Sequence, residues 1–150
     1  MEPLAPEIEQ LLLTGEGGTI EFKVKLDSNS LRIAKTATAF ANTNGGTIVF
    51  GVDDEERVVG CDIRGMAETI TNILRSRCDP PPSFTTKVVK YEGKELFLVR
   101  VAESSGTVHV VKELGPYIRA NRSDRTPTSH ELELLQRRRG SVSGLSPFLR

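Results

Sequence analysis

The sequence predicts an α+β domain: a mixed β-sheet of about five or six strands with helices packed on it. Segments that alternate between apolar and polar residues, as half-buried strands do, are interspersed with segments of helical periodicity. Two apolar runs separated by Glu92-Gly93 indicate a β-hairpin, which favours an α+β fold over a doubly wound sheet. The 150 residues, 37% hydrophobic and 27% charged, fit one folded domain.

The first half of the chain predicts two helices and two strands. Ser28 or Ser30 is expected to cap the second helix, and Thr47 to Val52 is apolar enough for a central strand that is buried on both faces. In order, the predicted elements are a helix at 3–13, a strand at 19–26, a helix at 30–42, a turn at 42–46, a strand at 47–52 and an acidic turn at 53–57.

The second half predicts two further helices around the hairpin. Thr128 and Glu131 have the spacing of a capping box at the start of the last helix. We expect the domain to span residues 1–139 and residues 140–150 to form a flexible tail or the start of a linker. In order, the predicted elements are a return strand at 58–60, a helix at 63–77, the hairpin at 88–101, strands at 108–111 and 117–120, and a helix at 128–138.

The charges are balanced overall but unevenly distributed. The net charge is zero, which argues against a polycation that coats DNA or a membrane. Residues 1–60 carry ten acids against five bases, whereas residues 115–140 carry six arginines against three acids. The sequence contains no apolar run of membrane-spanning length and starts directly in polar residues, and its two cysteines form no CxxC motif. These features predict a cytoplasmic protein with no membrane partner.

Three carboxylates are placed where they could converge at the ends of core strands. Glu16 lies in a glycine turn, Glu21 is on the polar face of the following strand, and Asp54 follows the buried strand. Carboxylates within a few ångströms of one another would hold Mg²⁺ or Mn²⁺ through oxygen, and such an ion can activate water at a phosphodiester. The alternative is a solvated acidic turn at Asp53 and Asp54, with Glu21 paired to Lys23 or Lys25.

Basic residues occur near the first strand and in the segment that follows Tyr117. Arginines and lysines among small polar residues suit contacts with phosphate without base reading, although each could equally be a solubilising charge. Most aromatic residues occupy predicted core positions, so we expect no platform for stacking single-stranded bases. The candidate nucleic-acid contacts are Lys23, Lys25, Arg119, Arg122 and Arg125, with Arg32 and Lys35 on the neighbouring helix.

Four motifs in this order resemble the Schlafen AlbA-like domain family. They are E-x4-E-F-K at 16–23, A-F-A-N-T-x-G-G-T-I-V-F-G-V-D-D at 39–54, V-V-G at 58–60 and Y-I-R-x-x-x-S-x-R at 117–125. The resemblance implies a nucleic-acid-binding domain, which in many bacterial and archaeal members begins a longer transcriptional regulator or helicase-related protein. Binding of this kind requires no cofactor.

The same resemblance implies an alternative activity. In vertebrate Schlafens, two such lobes form a clamp that cuts structured RNA such as tRNA, and the cutting depends on three acids that match Glu16, Glu21 and Asp54. The alternative function is therefore a Mg²⁺- or Mn²⁺-dependent endoribonuclease. Since this chain has one lobe, a clamp would require a homodimer. A third possibility is a dimerising structural domain of a longer protein.

Overall fold

A mixed four-stranded sheet with helices on both faces forms the framework of the protein. The computed structural model describes residues 5–26 and 29–139. The helices are α1 (Ala5–Thr14), α2 (Ser30–Asn42), α3 (Met66–Arg77) and α4 (Ser129–Arg139). The strands are β1 (Ile20–Lys23), β2 (Gly46–Phe50), β3 (Cys78–Asp79), β4 (Phe84–Tyr91), β5 (Lys94–Val101), β6 (Val110–Val111), β7 (Ile118–Ala120) and β8 (Ser123–Arg125).

The strand order of the main sheet is β1-β2-β5-β4. Strands β1 and β2 are parallel and are connected through α2, whereas β2–β5 and β5–β4 are antiparallel. The remaining strands pair as two ribbons, β3–β6 and β7–β8. The α+β class and the mixed sheet are thus confirmed. The sheet is narrower than five or six strands because the later segments pair in ribbons rather than adding to its edges.

Strand β2 lies between two hydrophobic clusters, as its apolar sequence predicts. Ile48 and Phe50 join the cluster formed with α2 and α3, whereas Val49 joins the cluster beneath α1. Burial of each such side chain stabilises the fold by about 1.5–3 kcal/mol. Side chains of the edge strand β1 alternate between the two faces of the sheet. Phe22 is therefore buried in the cluster beneath α1, and Glu21 lies on the opposite face.

The capping residues partly follow the sequence prediction. Asn29 caps α2, and its side-chain oxygen accepts a hydrogen bond from the backbone N–H of Leu31 at 3.1 Å. Ser30 is the first residue of that helix, and Ser28 lies outside the described residues. At α4, Thr128 and Glu131 exchange the two hydrogen bonds of the predicted capping box. The expected tail at 140–150 and the first residues of the first predicted helix also lie outside the described part.

The turn between α2 and β2 fastens the later segments of the chain to the framework. The buried side chain of Asn42 accepts a hydrogen bond from the backbone N–H of His109 and donates to the carbonyls of His109 and Tyr117. Gly46 follows, where an added Cβ would lie 2.7 Å from the Phe40 ring, so only glycine fits there. These contacts give structural reasons for the polar, glycine-rich composition of the turn.

His109 is buried where this turn meets the β3–β4 connection. Its Nδ1 lies 2.6 Å from the carbonyl oxygen of Pro80, and only 6% of the residue's surface is exposed. Burial lowers the pKa of His109 below the ordinary 6.5; the hydrogen bond to Pro80 opposes this shift and the charge of Arg139 adds to it. The neutral imidazole is therefore the form that the folded protein holds.

No helix within the described ranges is long and apolar enough to cross a membrane. This agrees with the absence of long apolar runs in the sequence.

We predict that the free energy of unfolding decreases as the pH falls below 6.5. The unfolded chain binds a proton at His109 near pH 6.5, whereas the folded protein resists that proton until a lower pH, so acid favours unfolding. Urea unfolding between pH 5 and 7.5 measures this loss. His109→Gln should flatten the dependence, whereas His130→Gln, at an exposed position, should leave it unchanged. Equal pH dependence in the wild type and His109→Gln would contradict the assignment.

Candidate nucleic-acid interface

Arg119 on β7 lies at the centre of the predicted site, and it is buried. Its side chain is 0% exposed, and its guanidinium is 4.9 Å from the centre of the Phe40 ring. Nε donates to the carbonyl of Gly17 at 3.0 Å, and Nη2 donates to the carbonyl of Ile20 at 3.1 Å. These bonds leave little donor capacity for an outside ligand.

Two carboxylates complete the surroundings of Arg119. Nη2 also donates to Glu21 at 2.7 Å, and Nη1 donates to Asp124 at 2.8 Å. The other oxygen of Asp124 accepts a 2.6 Å hydrogen bond from Thr36 on α2. Burial alone would lower the pKa of Arg119, but its bonds to Asp124 and Glu21 outweigh burial and raise it. The group is a permanent buried cation with two anionic partners.

Glu16 closes the outer edge of β1 together with Arg119. One oxygen of Glu16 accepts a hydrogen bond from the backbone N–H of Phe22 at 2.9 Å. The other accepts from Arg122 at 2.9 Å. The unpaired N–H and C=O groups of an edge strand can form hydrogen bonds with another strand. Here Glu16 and Arg119 bond to such groups of β1, and, among the described residues, no further strand is added at this edge. These contacts also explain why β7 packs beside α2 instead of extending the sheet.

The structure brings Glu16 and Glu21 close together. Burial raises the pKa of Glu21; the bonds and charges of Arg119 and Lys23 oppose the shift, and the charge of Glu16 adds to it. Lys23 lies 3.7 Å from the second oxygen of Glu21, with only 15% of its side chain exposed. The two acids predicted from the sequence are therefore neighbours, but each has a cationic partner.

Asp54 does not join them in a metal-binding group. Within residues 5–26 and 29–139, no three His, Cys, Asp or Glu side chains are arranged to hold a metal ion. Asp54 is exposed, and its neighbour Asp53 is engaged within the acidic turn, where the backbone N–H of Arg57 lowers the pKa of Asp53. The metal site expected at Glu16, Glu21 and Asp54 therefore stays a prediction.

The five predicted phosphate contacts differ in their availability. Arg119 is buried, so the phosphate contact expected of it does not fit the structure, and Lys23 is largely covered. Arg122 keeps 67% of its side chain exposed despite its bond to Glu16. Arg125 is 44% exposed but makes two hydrogen bonds to Glu131. These hydrogen bonds are the main reason that the pKa of Glu131 is lowered to about 2. Lys25 is exposed.

No local sequence pattern distinguishes the buried arginine from the exposed ones. Arg119, Arg122 and Arg125 follow one another at intervals of three in a polar segment, so all three resemble surface residues. Their different burial arises from the packing of β7 against α2, which is a long-range contact. Arg77 and Lys112 are exposed basic residues that lie outside the predicted motifs.

We predict that Arg119→Met lowers the free energy of unfolding by about 3–5 kcal/mol, because Glu21 and Asp124 lose their buried cation. Arg122→Met removes one exposed pair and should cost less than about 1 kcal/mol. Chemical unfolding of both variants at neutral pH measures the difference. Similar losses in the two variants would show that Arg119 is not the structural centre of this site.

Comparisons with known proteins agree with the fold. No curated protein matches the chain. The DIP2311 protein of Corynebacterium diphtheriae has a similar structure, with a TM-score of 0.58 and 21% identity over 92% of this chain; the match covers 29% of that protein. The N-terminal domain of a Nitrosomonas europaea protein, named as ATP-dependent DNA helicase RecG-related, matches with a TM-score of 0.62 and 22% identity. That match covers 86% of this chain and 92% of the other.

Family membership rests on the sequence rather than on these structural neighbours, whose low identity shows the fold alone. The model of the family described as Schlafen, AlbA_2 matches residues 16–128. The matched region begins at Glu16 and includes the turn at 42–46, both ribbons and the residues around Arg119. The chain therefore belongs to the Schlafen AlbA_2 family, which indicates a nucleic-acid-binding domain.

Proposed function

We propose that this domain binds the phosphate backbone of double-stranded nucleic acid without cutting it. The observation that carries the proposal is the pairing of Glu16 with Arg122 and of Glu21 with Arg119. The two acids that a nuclease would need for a metal ion are instead neutralised by arginines, and they hold the β7–β8 ribbon against β1. The same residues therefore serve the framework on which a binding surface is built.

Exposed side chains favour contact with a backbone over contact with bases. Among the described residues, the exposed large hydrophobic side chains are all aliphatic: Leu13, Val24, Val59, Val88, Leu114 and Leu134. Proteins that bind single strands without sequence preference stack bases on aromatic side chains. Cationic side chains such as Lys25 and Arg122, which remain exposed, can instead neutralise phosphates in a duplex.

We also propose a role at the front of a longer DNA-binding protein, either a transcriptional regulator or a helicase-related protein. The similar structure from Nitrosomonas europaea is the N-terminal domain of a protein with a helicase-related name. The match to this chain covers 92% of that domain. Cys61 and Cys78 are free thiols, which suits the reducing cytoplasm that the sequence predicts. The homodimer and the purely structural role remain predictions that size-exclusion chromatography can address.

The experiment incubates the protein with labelled duplex DNA, duplex RNA and tRNA, each with Mn²⁺ or with EDTA. We expect a band shift on native gels that EDTA leaves unchanged, intact nucleic acid on denaturing gels, and affinity that falls steeply with salt, with a slope of roughly −0.9 for each phosphate contact on DNA. A shift on only one of the two duplexes would identify the preferred nucleic acid.

The contrary result would be fragments that require Mn²⁺. In that case, Glu21→Gln and Asp54→Asn distinguish this chain's own activity from a contaminant. Asp54→Asn is the cleaner variant because Asp54 is exposed and contributes nothing evident to the ion pairs around Arg119. Fragments that disappear in both variants would replace the binding proposal with the metal-dependent endoribonuclease.

A further inference from the structure

We propose that the main phosphate-binding surface is not the β7–β8 ribbon but a basic face around the first half of α2. This surface, the α2 basic face, consists of Arg32, Lys35, Arg77 and Lys112. The inference rests on the proposed function and identifies where the duplex backbone lies on the molecule. Arg77 and Lys112 have no place in the motifs that predicted nucleic-acid binding.

Contacts place Arg77 and Lys112 beside the start of α2, and Lys35 beside Tyr117. Arg77, at the end of α3, donates from Nε to the hydroxyl of Ser30 at the start of α2, at 3.2 Å. The backbone N–H of Lys112 donates to the carbonyl of Arg77 at 2.8 Å. Lys35, one and a half turns along α2 from Ser30, lies over the Tyr117 ring at 5.4 Å from its centre.

The rest of the surface follows from the helix geometry. Arg32 precedes Lys35 by three residues, and residues at this spacing are neighbours on a helix surface. Arg32, Arg77 and Lys112 are exposed and Lys35 is partly exposed. Lys25, which we expected to contact phosphate, lies on the connection from β1 to α2 and extends the basic character toward the sheet edge.

The cations of this face differ from the predicted arginines because, among the described residues, no carboxylate forms a salt bridge with them. Within the described ranges, no salt bridge involves Arg32, Lys35, Arg77 or Lys112, whereas Arg119, Arg122 and Arg125 each pair with a carboxylate. The first turn of α2 contains no acidic residue, although acids are favoured there. A phosphate reaching the ribbon arginines must displace a carboxylate, but a phosphate reaching the α2 basic face displaces only water and counterions.

In the described ranges, the acids nearest in sequence to Arg77 and Lys112 do not form ion pairs with them. Asp79 follows Arg77 by two residues, and Glu113 follows Lys112 directly. Both are exposed, and neither forms an ion pair with the four cations in the described part of the chain. The partner that fits such a surface is a polyanion with regularly repeated charges. Because the exposed large hydrophobic side chains of the described residues are all aliphatic, a duplex is favoured over a single strand.

The test compares two double variants with the same change in net charge. Arg32→Gln/Lys112→Gln removes two cations of the α2 basic face that have no salt bridge to lose. Lys90→Gln/Lys94→Gln removes two exposed cations of the β4–β5 hairpin and is the matched control. Binding to 20-base-pair duplexes of DNA and of RNA is measured by fluorescence anisotropy from low to moderate salt, and circular dichroism checks that both variants fold.

We expect the α2 variant to bind duplex about tenfold or more weakly at 0.1 M salt and to reduce the salt slope by about 2, whereas the control retains the wild-type slope. Equal behaviour of the two double variants, with the wild type still binding, would overturn this inference and leave the proposed function standing. A wild-type protein that binds neither duplex at any salt would overturn both.

Discussion

The buried guanidinium of Arg119 is the interaction on which the rest of the structure depends. It bonds to the carbonyls of Gly17 and Ile20 and to the carboxylates of Glu21 and Asp124, so it joins the loop before β1, the edge of β1 and the β7–β8 ribbon. A charge in the interior is tolerated only when it is paired and hydrogen-bonded, so these residues are mutually dependent. The ribbon is also joined to α2, where Asp124 accepts a hydrogen bond from Thr36.

This dependence changes the interpretation of the acidic and basic residues in the sequence motifs. A row of acids followed by a row of arginines could be read as a metal site beside a phosphate-binding site. In the folded protein, Glu21 and Glu16 instead form ion pairs with Arg119 and Arg122. The cations of the α2 basic face come from two helices and the turn after β6, and this is the surface that we propose for a phosphate backbone.

The sequence predicted the framework well and the site less well. Local signals located α2, the central strand β2, the hairpin and the Thr128–Glu131 capping box, because these depend on periodicity and on residues near in sequence. Strands were predicted at the positions of β6 and β7, but β3, β8 and the pairing of the ribbons were not, since that pairing depends on how the edge of β1 is closed. The burial of Arg119 depends on contacts about 100 residues apart, with Gly17 and Ile20, and no local pattern encodes them.

The most direct test of this account is nitrogen-15 NMR of the protein titrated with duplex nucleic acid. We expect amide shifts at Arg32, Lys35, Arg77 and Lys112, together with a slowly exchanging Arg119 Nε–H signal that the duplex leaves unchanged. That pattern would show that phosphate is bound on the α2 basic face while the buried cation stays with its carboxylates. A large shift or rapid exchange of the Arg119 Nε–H signal on adding duplex, with little change along α2, would contradict the account.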